Sequence, residues 1–172
     1  MGSGSGGSYS VGTSGSQPYA PTYSVVSVEF NKDIQDPDIY NPKTGYYKNP
    51  TAVNLENSVK NDCIYFKDTD IKANGSLTYV LNEKGDIIFG KRSNPNNPQG
   101  RSPHPTLIGG KNPEVQCAGM IMFKKGKIFS VNNHSGHFRP NIKSLDKVKK
   151  VLNNLYQMNP ELFAKDSEWR NK

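Results

Sequence analysis

Only one stretch of this 172-residue chain carries the apolar period of a long helix. Leu145, Val148, Val151, Leu152 and Leu155 recur at steps of three and four, which gathers them on one face. Ser144 is placed to cap that helix, Asp146 falls in its first turn where the helix dipole favours an acid, and Pro160 stops it. Upstream, turn-forming residues interrupt the chain so often that its body must be built from short strands. YSVVSVEF over 23–30 and CIYFK over 63–67 predict strands from their valine and aromatic content. LTYVLNEKGDIIFG over 77–90 predicts two strands turning at Lys84-Gly85. Residues 118–132 predict a second hairpin, whose tip from Lys124 to Lys127 puts Gly126 at positive φ. Residues 31–60 offer turns and no helical period, and their tyrosines suit either caps on the core or ligand-stacking groups, the former being preferred. Residues 91–114 hold five prolines and three glycines, which excludes a regular element and marks a long loop. The terminal ELFAKDSEW is expected to dock by Leu162, Phe163 and Trp169. The expected fold class is α+β: an antiparallel sheet built from hairpins with one or two C-terminal helices.

Residues 1–22 differ from the rest. Twelve of the first sixteen are Gly or Ser, and no charge appears before Glu29. Such a stretch cannot bury enough apolar surface to offset its ordering entropy, so it reads as a flexible linker. Its opening MGSGSGGS has the look of an expression leader. Residues 23–172 then form a single domain of about 150 residues, a size that buries roughly 68–70% of its unfolded surface. No run approaches the roughly 20 apolar residues of a membrane span. No charged segment followed by an apolar one opens the chain, so no signal peptide is expected. Cys63 and Cys117 are too few for a disulfide scaffold and read as buried thiols.

The net charge of +7 is confined to one region. Residues 124–150 hold eight bases (Lys124, Lys125, Lys127, Arg139, Lys143, Lys147, Lys149 and Lys150) against Asp146 alone. The remainder, with fourteen of each sign, is neutral. A concentrated basic surface attracts phosphate, whether of a nucleotide, a nucleic acid or an acidic partner. The helix lysines also suit a plain solvated face, and both readings stay open.

All three histidines fall in two loop segments that flank the second hairpin: His104 before it, His134 and His137 after it. An antiparallel hairpin brings its two ends side by side. Connectivity therefore predicts that His104, Thr106, His134, Ser135, His137 and Arg139 meet at one rim of the sheet. Imidazole exchanges protons near neutral pH. Ser135 and Thr106 offer hydroxyls, and Gly109, Gly110 and Gly136 allow close backbone approach to a ligand. Arg139 can form a fork to phosphate or carboxylate. His104, Thr106, Ser135 and His137 are thus the candidate catalytic residues, with Gly109, Gly110, Gly136 and Arg139 the candidate cofactor-binding residues.

LTYVLNEKGDIIFGKRS, PHPTLIGG and AGMIMFKKGKIFSVNNHSGHFRPN together resemble a domain at the C-termini of many bacterial polymorphic toxins, Rhs-type proteins included. The same segments are similar to the domain of plant IQ-motif calmodulin-binding proteins. The resemblance spans roughly residues 77–158, and its Ser-Gly-His-aromatic-Arg-Pro core is the most specific part. Pro105-Thr106 stands where that family usually has two serines, and Phe138 where it often has tyrosine. The IQ motif is absent, so calmodulin association is not carried over. The resemblance implies a toxin or effector cargo, secreted or translocated into a target-cell cytoplasm. It also implies a carrier or delivery protein, a cognate immunity protein and a host or target-cell protein substrate.

Three functions compete at this stage. The first is an ADP-ribosyltransferase-type enzyme using NAD as substrate, with Arg139 or the glycine loops on the pyrophosphate and His104 with Thr106 orienting the ribose. No clear Arg…Ser-Thr-Ser…Glu-x-Glu series supports it. Glu161 and Glu168 fall in an expected helix, and Glu114 is the remaining choice for a carboxylate. The second is a ββα-metal-like nuclease in which His134 and His137 hold a divalent cation and the lysines follow a nucleic-acid backbone. The preferred reading needs no metal. The third is a non-catalytic module whose basic face docks an acidic partner.

Overall fold

A computed structural model describes residues 17–94 and 97–170. Its frame is one five-stranded antiparallel sheet. The strands are β1 (Val53–Asn54), β2 (Gly75–Leu81), β3 (Ile87–Gly90), β4 (Cys117–Lys124) and β5 (Lys127–Val131). They lie side by side in the order β5-β4-β2-β3-β1. This is the expected α+β architecture.

Both predicted hairpins form, and their turn residues explain why. Between β2 and β3, Asn82 Oδ1 accepts the amides of Lys84 and Asp86, while Gly85 takes φ +88°. Between β4 and β5, Lys125 and Gly126 both have positive φ, the two-residue geometry that matches the strand twist. The long pairing of β4 with β2 runs in register from Cys117 opposite Leu81 to Phe123 opposite Gly75.

Side chains alternate across the sheet. Leu77, Tyr79, Leu81, Phe89, Cys117, Ile121 and Phe123 face the larger core. The C-terminal helix, α2 (Leu145–Met158), closes that core with Leu145, Val148, Leu152 and Leu155. Leu162, Phe163 and Trp169 dock beside it, with Phe163 and Trp169 ring centroids 5.2 Å apart. Val80 and Ala118 point to the opposite face, where Tyr23, Leu107, Val115 and Phe138 form a smaller cluster. The histidine loops lie with this second cluster.

The structure corrects several local expectations. The strand expected over 23–30 is two residues of strand, Tyr23–Ser24, followed by the helix α1 (Ser27–Asp33). Valine content favours a strand, but tertiary contacts decide otherwise. The helix sets Phe30 edge-on to Tyr40 and sends Asp33 into the interior. The strand at 63–67 is shortened to Cys63–Ile64. The 91–114 segment carries short regular pieces: Ser93–Asn94 pairs with Asn97–Arg101, and His104–Leu107 is a turn of 3-10 helix. Ser144 does not cap α2 with its side chain. Its hydroxyl donates to Asn141 O and Cys117 Sγ, and Asn141 caps the preceding 3-10 turn through Lys143 N–H. Cys63 and Cys117 are both free and buried.

Residues 1–16 of the expected linker lie outside the described residues. Residues 17–22 are pinned to the fold. Gln17 donates its amide to Arg139 O and its side chain to Phe138 O, and its own carbonyl accepts from Asn141 Nδ2. Lys147 Nζ reaches Pro21 O, and Thr22 Oγ1 donates to Glu114. Among the described residues, no helix is long and apolar enough to cross a membrane.

Candidate functional site

The 133–141 loop leaves β5 and folds back on itself. Asn133 Nδ2 donates to Pro140 O, and Arg139 N–H closes a turn on Ser135 O at 2.7 Å, with Arg139 at φ +44°. Phe138, fully buried in the smaller cluster, anchors the loop to the sheet. This folding joins the His104 loop to the 133–141 loop through Ser135, as part of the expected meeting, while the His104 and His137 rings keep separate partners.

His104 is locked from both sides. One ring nitrogen, Nε2, stands 2.8 Å from Gly119 O, and the other, Nδ1, stands 3.2 Å from Ser135 Oγ. A carbonyl only accepts, so Nε2 carries the hydrogen and Nδ1 accepts from the Ser135 hydroxyl. That hydroxyl also accepts Phe138 N–H. Burial penalises the charged ring and brings His104 down to about 4, despite the opposing bond to Gly119. A neutral, enclosed imidazole that pins two loops together is a structural joint. Thr106 is committed in the same way: its hydroxyl donates to Pro103 O at 2.7 Å, and the residue is buried.

Gly109 and Gly110 form a seam with the protein's own backbone. Gly110 exchanges both hydrogen bonds with Tyr46, at 2.8 and 3.0 Å, and Gly109 N–H bonds Pro105 O. Gly45 faces this seam at φ +92°, and a Cβ on it would stand 2.2 Å from Gly110 C. Gly136 is exposed, and its carbonyl accepts Arg139 Nε.

His137 has different company. Its Nε2 lies 2.9 Å from Asp33 Oδ2, and the Tyr46 hydroxyl donates to the same oxygen at 2.7 Å. Glu29, one helical turn before Asp33, places Oε1 3.8 Å from His137 Nε2 and Oε2 3.8 Å from an Arg139 nitrogen. Burial and the Asp33 hydrogen bond push the Tyr46 phenol far above its ordinary range. The grouping grades from a buried floor, Asp33 and Tyr46, to a partly exposed edge at Glu29 and Arg139, whose side chains are 18% and 36% exposed.

The sequence had singled out none of Glu29, Asp33 or Tyr46. Asp33 and His137 are 104 positions apart. The one local trace is the spacing of Glu29 and Asp33, four apart, which shares a face only if the segment is helical.

His134 stands apart from this grouping. It is exposed, its N–H bonds Asn132 Oδ1, and it lines a cleft of about 470 Å³ with Ile142, Leu145 and Glu168. Among the described residues, no group of three or more His, Cys, Asp or Glu side chains is placed to hold a metal ion. Comparison with protein-family models, curated proteins and solved structures found no match to this chain.

Proposed function

We propose that this chain is a toxin or effector domain, delivered into a target cell, that transfers ADP-ribose from NAD to a target-cell protein. One observation carries the reading: the Glu29 carboxylate stands between the His137 imidazole and the Arg139 guanidinium, where both Glu29 and Arg139 are partly exposed. It supplies the carboxylate that the sequence alone did not reveal.

Each group has a chemical task in that reaction. Arg139 takes the pyrophosphate of NAD, which suits a forked cation. As the C1′–N bond breaks, nicotinamide leaves as a neutral base with the bonding pair, and positive charge develops on the ribose. The Glu29 carboxylate stabilises that charge where it forms. His137 removes the proton of the attacking group on the target, and the new bond closes to C1′. His104, Ser135 and Thr106 shape the loops and take no part in the chemistry. The two imidazoles of the nuclease alternative face different surroundings, His134 in the cleft beside α2 and His137 against Asp33, so the metal reading lacks a common centre.

The test is incubation of the full chain with target-cell lysate and labelled NAD, with nicotinamide release followed in parallel. Label on protein and free nicotinamide are expected, and both are lost in Glu29→Gln and Arg139→Ala variants that keep the wild-type melting temperature. A stable wild-type protein that neither labels protein nor releases nicotinamide overturns the proposal.

A further inference from the structure

Resting on the reading of His137 as the proton-accepting group, we infer that Asp33 and Tyr46 are its positioning residues: they hold its Nε2–H, so that Nδ1 is the nitrogen that exchanges a proton with the attacking group. The argument starts from donor and acceptor roles. An ionised carboxylate oxygen accepts and does not donate. Both the Tyr46 hydroxyl, at 2.7 Å, and His137 Nε2, at 2.9 Å, address Asp33 Oδ2, so with Asp33 as the carboxylate each brings a hydrogen. With its hydrogen fixed on Nε2, the neutral ring presents a lone pair at Nδ1. Among the described residues, Nε2 makes the one hydrogen bond of this ring, and the side chain remains 8% exposed.

Asp33 itself is loaded unevenly. Its residue is 1% exposed, and while Oδ2 receives two donors, Oδ1 is buried with no partner among the described residues. A stranded carboxylate oxygen costs stability. The two donors on Oδ2 fix the direction in which Asp33 presents that oxygen to His137. Tyr46 is held in turn by its paired backbone bonds to Gly110, a seam tight enough that Gly45 can have no side chain. The Gly109-Gly110 motif therefore bears on His137 through three contacts, Gly110 to Tyr46, Tyr46 to Asp33, and Asp33 to His137. It acts on the site by positioning, at one remove from any ligand.

Long-range proton–nitrogen correlation spectra of the full chain, labelled at histidine and recorded in mildly alkaline solution, test this without reference to activity. His137 is expected as a single Nε2–H tautomer, beside exposed His134 as a mixed reference. Asp33→Ala should move His137 to the His134 pattern. Tyr46→Phe, which deletes only a hydroxyl, should keep the tautomer and lower NAD turnover about tenfold or more with an unchanged KM for NAD. A wild-type His137 that carries its hydrogen on Nδ1, or is as mixed as His134, overturns the inference. Unaltered turnover in Tyr46→Phe overturns the part assigned to Tyr46. If Asp33→Ala fails to fold, the wild-type spectrum and Tyr46→Phe decide. The expected tautomer in a protein that consumes no NAD upholds the positioning and sinks the transferase reading alone.

Discussion

Ser135 Oγ lies 3.2 Å from His104 Nδ1, and this contact ties together two loops 31 positions apart in the chain. A serine hydroxyl beside an imidazole suggests an activated nucleophile at first sight. Burial of both residues, and the use of the second ring nitrogen by Gly119 O, make it a fastening instead.

Ser135→Ala therefore leaves a buried ring nitrogen and the Phe138 N–H without partners. Its expected cost is about 1–3 kcal/mol of unfolding free energy. Urea denaturation of the variant against wild type measures it, and a change within error would remove the fastening role.

The same ring predicts a pH dependence. His104 sits near 4 in the folded protein against 6.5 in the unfolded chain. Between those values the unfolded state binds the extra proton. The neutral ring's contribution is thus fully present above pH 6.5 and is lost as pH falls toward 4, at most about 3 kcal/mol in all. Denaturation midpoints measured across that window should fall, and His104→Gln should flatten the decline.

Gly45→Ala should be among the most damaging single-methyl additions. The new carbon would meet Gly110 at 2.2 Å, in a backbone conformation with φ +92°. Overpacking against backbone and left-handed strain each cost on the order of 1–3 kcal/mol. A melting temperature unchanged from wild type would mean that the seam yields easily.

Lys149 and Lys150 separate an enzyme from a docking module. Neither is buried, so reversal of both to Glu should alter stability by about 0.5 kcal/mol or less. NAD consumption should persist in that variant. Loss of all cellular effect with NAD consumption intact would give the basic face a recognition role of its own.

What could be read from sequence was what is encoded locally. The period of Leu145, Val148, Leu152 and Leu155 marked α2, and Gly85 and Gly126 marked the hairpin turns, because those residues act over a few positions. That the His104 loop meets the 133–141 loop followed from hairpin connectivity, while His134 lies apart from both. Asp33 was invisible for the opposite reason. Its partner lies 104 positions away, and the helix that aims it forms against the strand preference of the valine-rich segment in which it starts. Thr106, Gly109 and Gly110 have residue types that suit a ligand site, yet the fold uses their polar groups for itself. Composition shows which groups are present, and only the packed structure shows which are already taken.

Gln17 is clasped by the carbonyls of Phe138 and Arg139 and by the Asn141 side chain. The first described residue is thus fastened to the loop that holds His137 and Arg139. Loss of the Gln17 contacts would therefore loosen the same loop that carries His137 and Arg139, so a truncation that removes Gln17 is expected to disturb that loop before it disturbs the sheet.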